Sequence, residues 1–290
     1  MKKSRKLATL GICSALFLGL AACQQQHATS EGTNQRQSSS AKVPWKASYT
    51  NLNNQVSTEE VKSLLSAHLD PNSVDAFFNL VNDYNTIVGS TGLSGDFTSF
   101  THTEYDVEKI SHLWNQKKGD FVGTNCRINS YCLLKNSVTI PKLEKNDQLL
   151  FLDNDAIDKG KVFDSQDKEE FDILFSRVPT EATTDVKVHA EKMETFFSQF
   201  QFNEKARMLS VVLHDNLDGE YLFVGHVGGL VPADDGFLFV EKLTFEEPYQ
   251  AIKFASKEDC YKYLGTKYAD YTGEGLAKPF IMDNDKWVKL

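Results

Sequence analysis

Residues 208–243 read MLSVVLHDNLDGEYLFVGHVGGLVPADDGFLFVEKL, three apolar runs divided by two turn sequences. Met208 to Leu213, Tyr221 to Val231 and Phe237 to Leu243 are rich in β-branched and aromatic residues, the composition of strands. Asp215-Asn216-Leu217-Asp218-Gly219 and Pro232 to Gly236 supply the residue types that accept turn backbone angles. Successive hairpins make an antiparallel sheet. The second hairpin admits two registers. A four-residue loop, Ala233 to Gly236, pairs Pro232 with Phe237 and sets Glu241 across from Gly228, on the face of His226. A five-residue loop, Pro232 to Gly236, turns Glu241 to the other face unless a bulge at Gly228-Gly229 restores it.

Upstream of this stretch the apolar spacing is helical. Ser57 with Glu60 forms a capping box ahead of Val61, Leu64, Leu65 and Leu69, and Asp70-Pro71-Asn72 ends that helix. A second helix is expected from Ser73 to Tyr84, a third over Asp106 to Gln116, and another over Arg127 to Lys135, after the break at Gly119 to Asn125. Val138 to Ile140 and Gln148 to Leu152 read as short strands, Glu169 to Phe175 fits either state, and Asp153 to Asp158 reads as a surface turn. Thr184 to Phe200 and Lys257 to Tyr268 return to helical spacing. Helices first and strands later predict an α+β fold, with N-terminal helices packed on a C-terminal antiparallel sheet.

The N-terminus carries a different signal. Lys2, Lys3, Arg5 and Lys6 precede a mostly apolar run, Leu7 to Leu20, too short to span a bilayer. Leu20-Ala21-Ala22-Cys23 follows and resembles a bacterial lipobox, which implies lipidation of Cys23 after removal of residues 1–22. Two acyl chains on one residue give stable anchoring to a membrane. Residues 24–41, QQQHATSEGTNQRQSSSA, lack the apolar content to fold and read as a tether, so residues 23–44 link the anchor to a single domain over 45–290. The full chain has a net charge of −9, more negative once the basic leader is lost. Such a surface does not suit nucleic acid or anionic headgroups, and the expected location is the extracytoplasmic face of the membrane.

Three cysteines follow Cys23, at 126, 132 and 260. Cys132 beside Leu133 and Leu134, and Cys260 within the last helix, fit buried apolar positions, with a bridge between them left open. Cys126 falls where Gly123-Thr124-Asn125 gives way to helix. Free N–H groups and the helix dipole stabilise a thiolate there, Arg127 adds positive charge, and the Cys126 N–H can receive an oxyanion. A thiol nucleophile needs a base, and His226, in Val224-Gly225-His226-Val227-Gly228-Gly229, lies on a strand with room around it. His214 is the reserve. His68, His102, His112 and His189 fit solvated or capping positions. Glu241, an acid in the otherwise apolar Phe239-Val240-Glu241, needs a partner and is the candidate to orient His226.

A helix-start cysteine, a strand His-Val-Gly and a polar residue on the next strand together resemble papain-like cysteine peptidases, the NlpC-type cell-wall branch above all. Its His-x-Gly motif corresponds to His226-Val227-Gly228 and its nucleophile to Cys126, although Asn125-Cys126-Arg127 replaces the usual Asp-Cys-Ser. The whole chain also resembles an uncharacterised family of Gram-positive surface lipoproteins, a domain of unknown function. The resemblance implies a papain-like fold and a tethered thiol hydrolase of amide bonds, with peptidoglycan peptides as substrate. Cys126, His226 and Glu241 would be catalytic, Asn125 and Arg127 substrate-binding, with no metal or cofactor. The competing expectation is a non-catalytic lipoprotein that binds a peptide, glycan or protein partner.

Overall fold

A computed structural model describes residues 45–100 and 103–290. The leader, lipidation and tether expectations on residues 1–44, and His102, lie outside the described residues. Strand β1 is Ala47–Thr50, followed by α1, Gln55–Ser66, and α2, Pro71–Val88. Asn54 caps α1 by accepting from the Ser57 N–H, so the helix starts ahead of the expected Ser57–Glu60 box and Ser57 is buried. Asp70 caps α2, with Pro71 in the first turn where its missing N–H costs nothing. Then come β2, Thr98–Ser99, α3, Val107–Lys118, α4, Cys126–Leu134, and β3, Val138–Thr139.

The next segment departs from expectation. Gln148–Leu150 is a 3-10 turn that runs into α5, Phe151–Gly160, where a strand and a surface turn were expected. A short apolar run such as residues 148–152 does not distinguish strand from buried helix start. Helix α6, Ser165–Leu174, settles the ambiguous segment, with Asp164 as its cap. Strand β4 is Val178–Pro179, α7 is Val186–Phe197, and β5 is Gln201–Phe202.

The long strands then follow as β6, Arg207–Asp215, β7, Tyr221–Ala233, β8, Gly236–Lys242, and β9, Tyr249–Phe254. Helix α8, Lys257–Lys267, precedes β10, Phe280–Asp283, and β11, Lys286–Val288. All observed pairings are antiparallel, in the order β11-β10-β6-β7-β8-β9-β1-β2, with β4 also on β7 and β3-β5 a separate pair. Strands β1, β2, β4, β5, β9, β10 and β11 were not foreseen. With eight α-helices among the described residues, the molecule is α+β.

The sheet is covered on both faces. Val224, Val227, Val231, Leu238 and Val240 point to a core that includes Val61, Leu65, Phe77, Val81 and Ile128 of the N-terminal helices. On the opposite face Leu209, Val211, Leu230 and Phe239 meet Tyr261, Tyr263 and Leu264 of α8. The N-terminal helices therefore make one layer, and the last helix makes a second that the sequence order alone did not announce. Gly228 is needed at the centre, because a Cβ there would come within 2.3 Å of Phe239 Cζ and 2.7 Å of the Val240 carbonyl.

Candidate active site

The β7–β8 hairpin adopts the first of the two registers, with Pro232 opposite Phe237, and closes one pair further, at Ala233 and Gly236. This parity puts His226 and Glu241 on the α8 face. The β7–β8 ladder runs only to Gly229 opposite Val240, and beyond it Glu241 and Lys242 pair with Gln250 and Tyr249 of β9. A bulge occurs in β7 at Gly225, since Val211 opposes His226 while Val212 opposes Val224. His226 Nε2 lies 2.5 Å from Glu241 Oε2, with both residues buried.

Helix α4 carries Cys126 as its first residue, with Asn125 as the cap accepting from the Ile128 N–H. Two bonds tie the helix along β7 on either side of the bulge. Arg127 Nη1 donates to the Val224 carbonyl at 3.0 Å, and Ser130 Oγ to the Val227 carbonyl at 3.0 Å. The Cys126 thiol is thereby brought beside His226, close enough for each to shift the other's ionisation. With Nε2 committed to Glu241, Nδ1 is the ring nitrogen left for the sulfur.

The electrostatics follow from these contacts. Burial alone would raise the Cys126 thiol, yet the charge and hydrogen bond of His226, with Arg127 beside it, hold it below its ordinary value. Burial would depress His226, but Cys126 and Glu241 raise it above the ordinary range. Burial likewise opposes ionisation of Glu241, while Lys267, His226 and Tyr263 bring it down to about 2. The arrangement favours a thiolate, an imidazolium and a carboxylate in a row. Burial instead pushes Cys132 up to about 11 and Cys260 well above its usual value. All three thiols are free, so the Cys132–Cys260 bridge does not form.

Asn125 and Arg127, expected to meet substrate, turn their side chains to Asp153 of α5. Arg127 Nε and Nη2 donate to its two oxygens at 2.9 and 2.7 Å, and Asn125 Nδ2 donates to Oδ1 at 2.8 Å. Asp153 is fully buried and was not among the candidates, because Asp153-Asn154-Asp155 resembled a hydrated turn. The missed residues on α8 are Tyr263, Lys267 and, at its end, Tyr268. Tyr263 OH donates to Glu241 Oε1, and Lys267 Nζ stands 3.5 Å from the same oxygen. Tyr268 stacks on the His226 ring with centroids 4.8 Å apart. The sequence signal covered only half of this: an acid in an apolar strand requires donors, and Tyr263 and Lys267 are one helical turn apart, but nothing in the local spacing directs that face of α8 to Glu241.

The other histidines are placed elsewhere. His189 is fully buried between Thr180 Oγ1 and the Thr183 carbonyl, contrary to the solvated position expected, because α7 turns that side chain inward against β4. His214 is also buried, with Glu220 at 2.7 Å and the Ala277 N–H at 3.1 Å. Among the described residues no cluster of His, Cys, Asp and Glu could hold a metal ion, and no helix is long and apolar enough to cross a membrane. An open concavity of about 470 Å³ bordered by Asn54, Thr58, Phe78 and Asn85 lies between α1 and α2 and gathers no nucleophile.

The family model of a domain of unknown function, DUF4300, matches residues 48–288. No curated protein and no solved structure matches the chain.

Proposed function

The chain belongs to the DUF4300 family, and we propose that it is a papain-like thiol hydrolase of amide bonds. The observation that carries this reading is the convergence of Cys126, His226 and Glu241 from three separate elements into one row, with the thiol beside an imidazole that is hydrogen-bonded to the carboxylate. A buried thiol, imidazole and carboxylate have little reason to meet in a core, where apolar side chains would pack at lower cost. Activation of a nucleophile supplies the reason.

Cys126 sulfur attacks the amide carbonyl carbon, and the oxyanion that forms accepts the Cys126 N–H, which as the first N–H of α4 has no intrahelical acceptor. The imidazolium gives its Nδ1 proton to the departing amine nitrogen, the C–N bond breaks, and a thioester remains. Water then attacks the thioester while His226 takes its proton. The C–S bond breaks to release the acid and restore the thiolate. Glu241 holds the ring in place and offsets its charge. Asn125 and Arg127, through Asp153, fix the start of α4 rather than contact substrate.

The resemblance to the NlpC-type branch and the lipobox at Cys23 support a membrane-anchored, extracytoplasmic protein acting on cell-wall peptides. The test compares the protein with Cys126→Ala on purified cell wall and on simple peptides. Loss of product by about 10³-fold or more is expected, and equal product from both overturns the reading. One observation favours the non-catalytic alternative: Cys126 is 5 % exposed and His226 2 %. In that case neither protein releases product, and the lipoprotein binds its peptide, glycan or protein partner through another surface.

A further inference from the structure

Glu241 reaches beyond the catalytic row, and its outer partners all lie on α8. Lys267 Nζ donates to Tyr263 OH at 2.8 Å, and Tyr263 OH donates to Glu241 Oε1. The other carboxylate oxygen faces His226 Nε2. The chemistry of the groups gives this chain a single direction. An ammonium can only donate, so the tyrosine oxygen accepts from it and the one phenolic proton is left for Glu241. A carboxylate that receives a proton donor on each oxygen is stable as the anion. Remove the ammonium, and Tyr263 becomes free to accept a proton from a neutral Glu241.

We propose that Lys267 is a positioning residue of the proposed reaction, which acts through Tyr263 to keep Glu241 an acceptor toward His226. The inference rests on the thiol hydrolase reading. Other titratable groups around the pair are Glu247 in the loop after β8, Tyr105 ahead of α3, and Cys260 and Tyr268 of the α8 segment. Glu247, raised by burial and by the field of Glu241, is itself lowered by Lys267, so the lysine lies near both acids. Lys267 is therefore a positive charge felt by both carboxylates at this end of the row, with Lys242 a second one near Glu247. It also sits over the rings of Tyr263 and Tyr268, at 5.2 and 5.5 Å from their centroids, which limits where its head can go.

The experiment follows the ultraviolet thiolate absorbance of the intact domain as pH is lowered, with the Cys126→Ala form of each protein subtracted. Lys267→Met and Lys267→Arg are compared with the parent, and circular dichroism confirms folding. The Lys267 side chain is 31 % exposed, so both substitutions are tolerable at the helix surface. In Lys267→Met the midpoint of thiolate loss is expected to move up by roughly 0.5–1 pH unit, because an opposite charge beside a carboxylate shifts it by about that much after screening. Lys267→Arg, also donor-only, restores the parent midpoint. Superimposed profiles for Lys267→Met and the parent, or equal shifts in both variants, overturn the role of Lys267 while leaving the thiol pair intact. Absence of any Cys126 thiolate in the parent overturns both the role and the hydrolase reading beneath it.

Discussion

Glu241 shows how much one residue can carry. It is a carboxylate in the middle of an apolar strand, 1 % exposed, and its position would be unfavourable without the three donors around it. Its need for a partner was legible in Phe239-Val240-Glu241, and so was His226 as that partner in one of two registers. Lys267 and Tyr263 were not, because nothing in the local spacing says which face of α8 meets which strand. The low value of Glu241, about 2 against an ordinary 4.5, has a definite sign. The folded protein holds this proton less tightly than the unfolded chain. The stabilisation is full above about 4.5 and is lost as pH falls through about 2. Glu241→Gln is expected to remove the part of acid destabilisation that belongs to this window, on the order of 3 kcal/mol, as measured by denaturant titration at several pH values. The same substitution is expected to lower amide hydrolysis by about 10²–10⁴-fold, since the imidazolium loses its counter-charge.

At the scale of elements, the site depends on where α4 begins. The cap residue Asn125 and the first turn of α4 are pinned by Asp153, which gathers three donors from Asn125 and Arg127. The helix start was readable from Gly123-Thr124-Asn125 to within a residue. Its anchor was not, because the strand-like run at residues 148–152 hid a helix whose third residue is the buried acid. Removing that acid leaves a half-buried guanidinium without its carboxylate. Asp153→Ala is expected to cost about 3–5 kcal/mol in chemical denaturation. It should also slow alkylation of Cys126, because the helix start that supports the thiolate loses its hold. A variant of wild-type stability would show that α4 is positioned by its contacts with β7 alone.

For the whole molecule, the sheet is the frame on which distant segments meet: α4 lies on one face, α8 on the other, and His226 and Glu241 come from neighbouring strands between them. Among the described residues the three cysteines are separate thiols, free and buried, with no disulfide between them. The melting temperature of the domain is expected to be the same with and without a thiol reductant, and a drop on reduction would reveal a bridge. The antiparallel hairpins of residues 208–243, the helical N-terminal half and the place of Cys126 at a helix start were determined by sequence alone. Local periodicity, turn chemistry and helix-terminus electrostatics act over a few residues and can be read one segment at a time. The meeting of Cys126 with His226, the carboxylate behind Arg127, the α8 donors on Glu241, the strands that flank the two hairpins and the covering of both sheet faces were decided only by tertiary structure. Burial selects them: a charged group removed from water must find its partner wherever the packed chain provides one, however far away that partner stands in sequence.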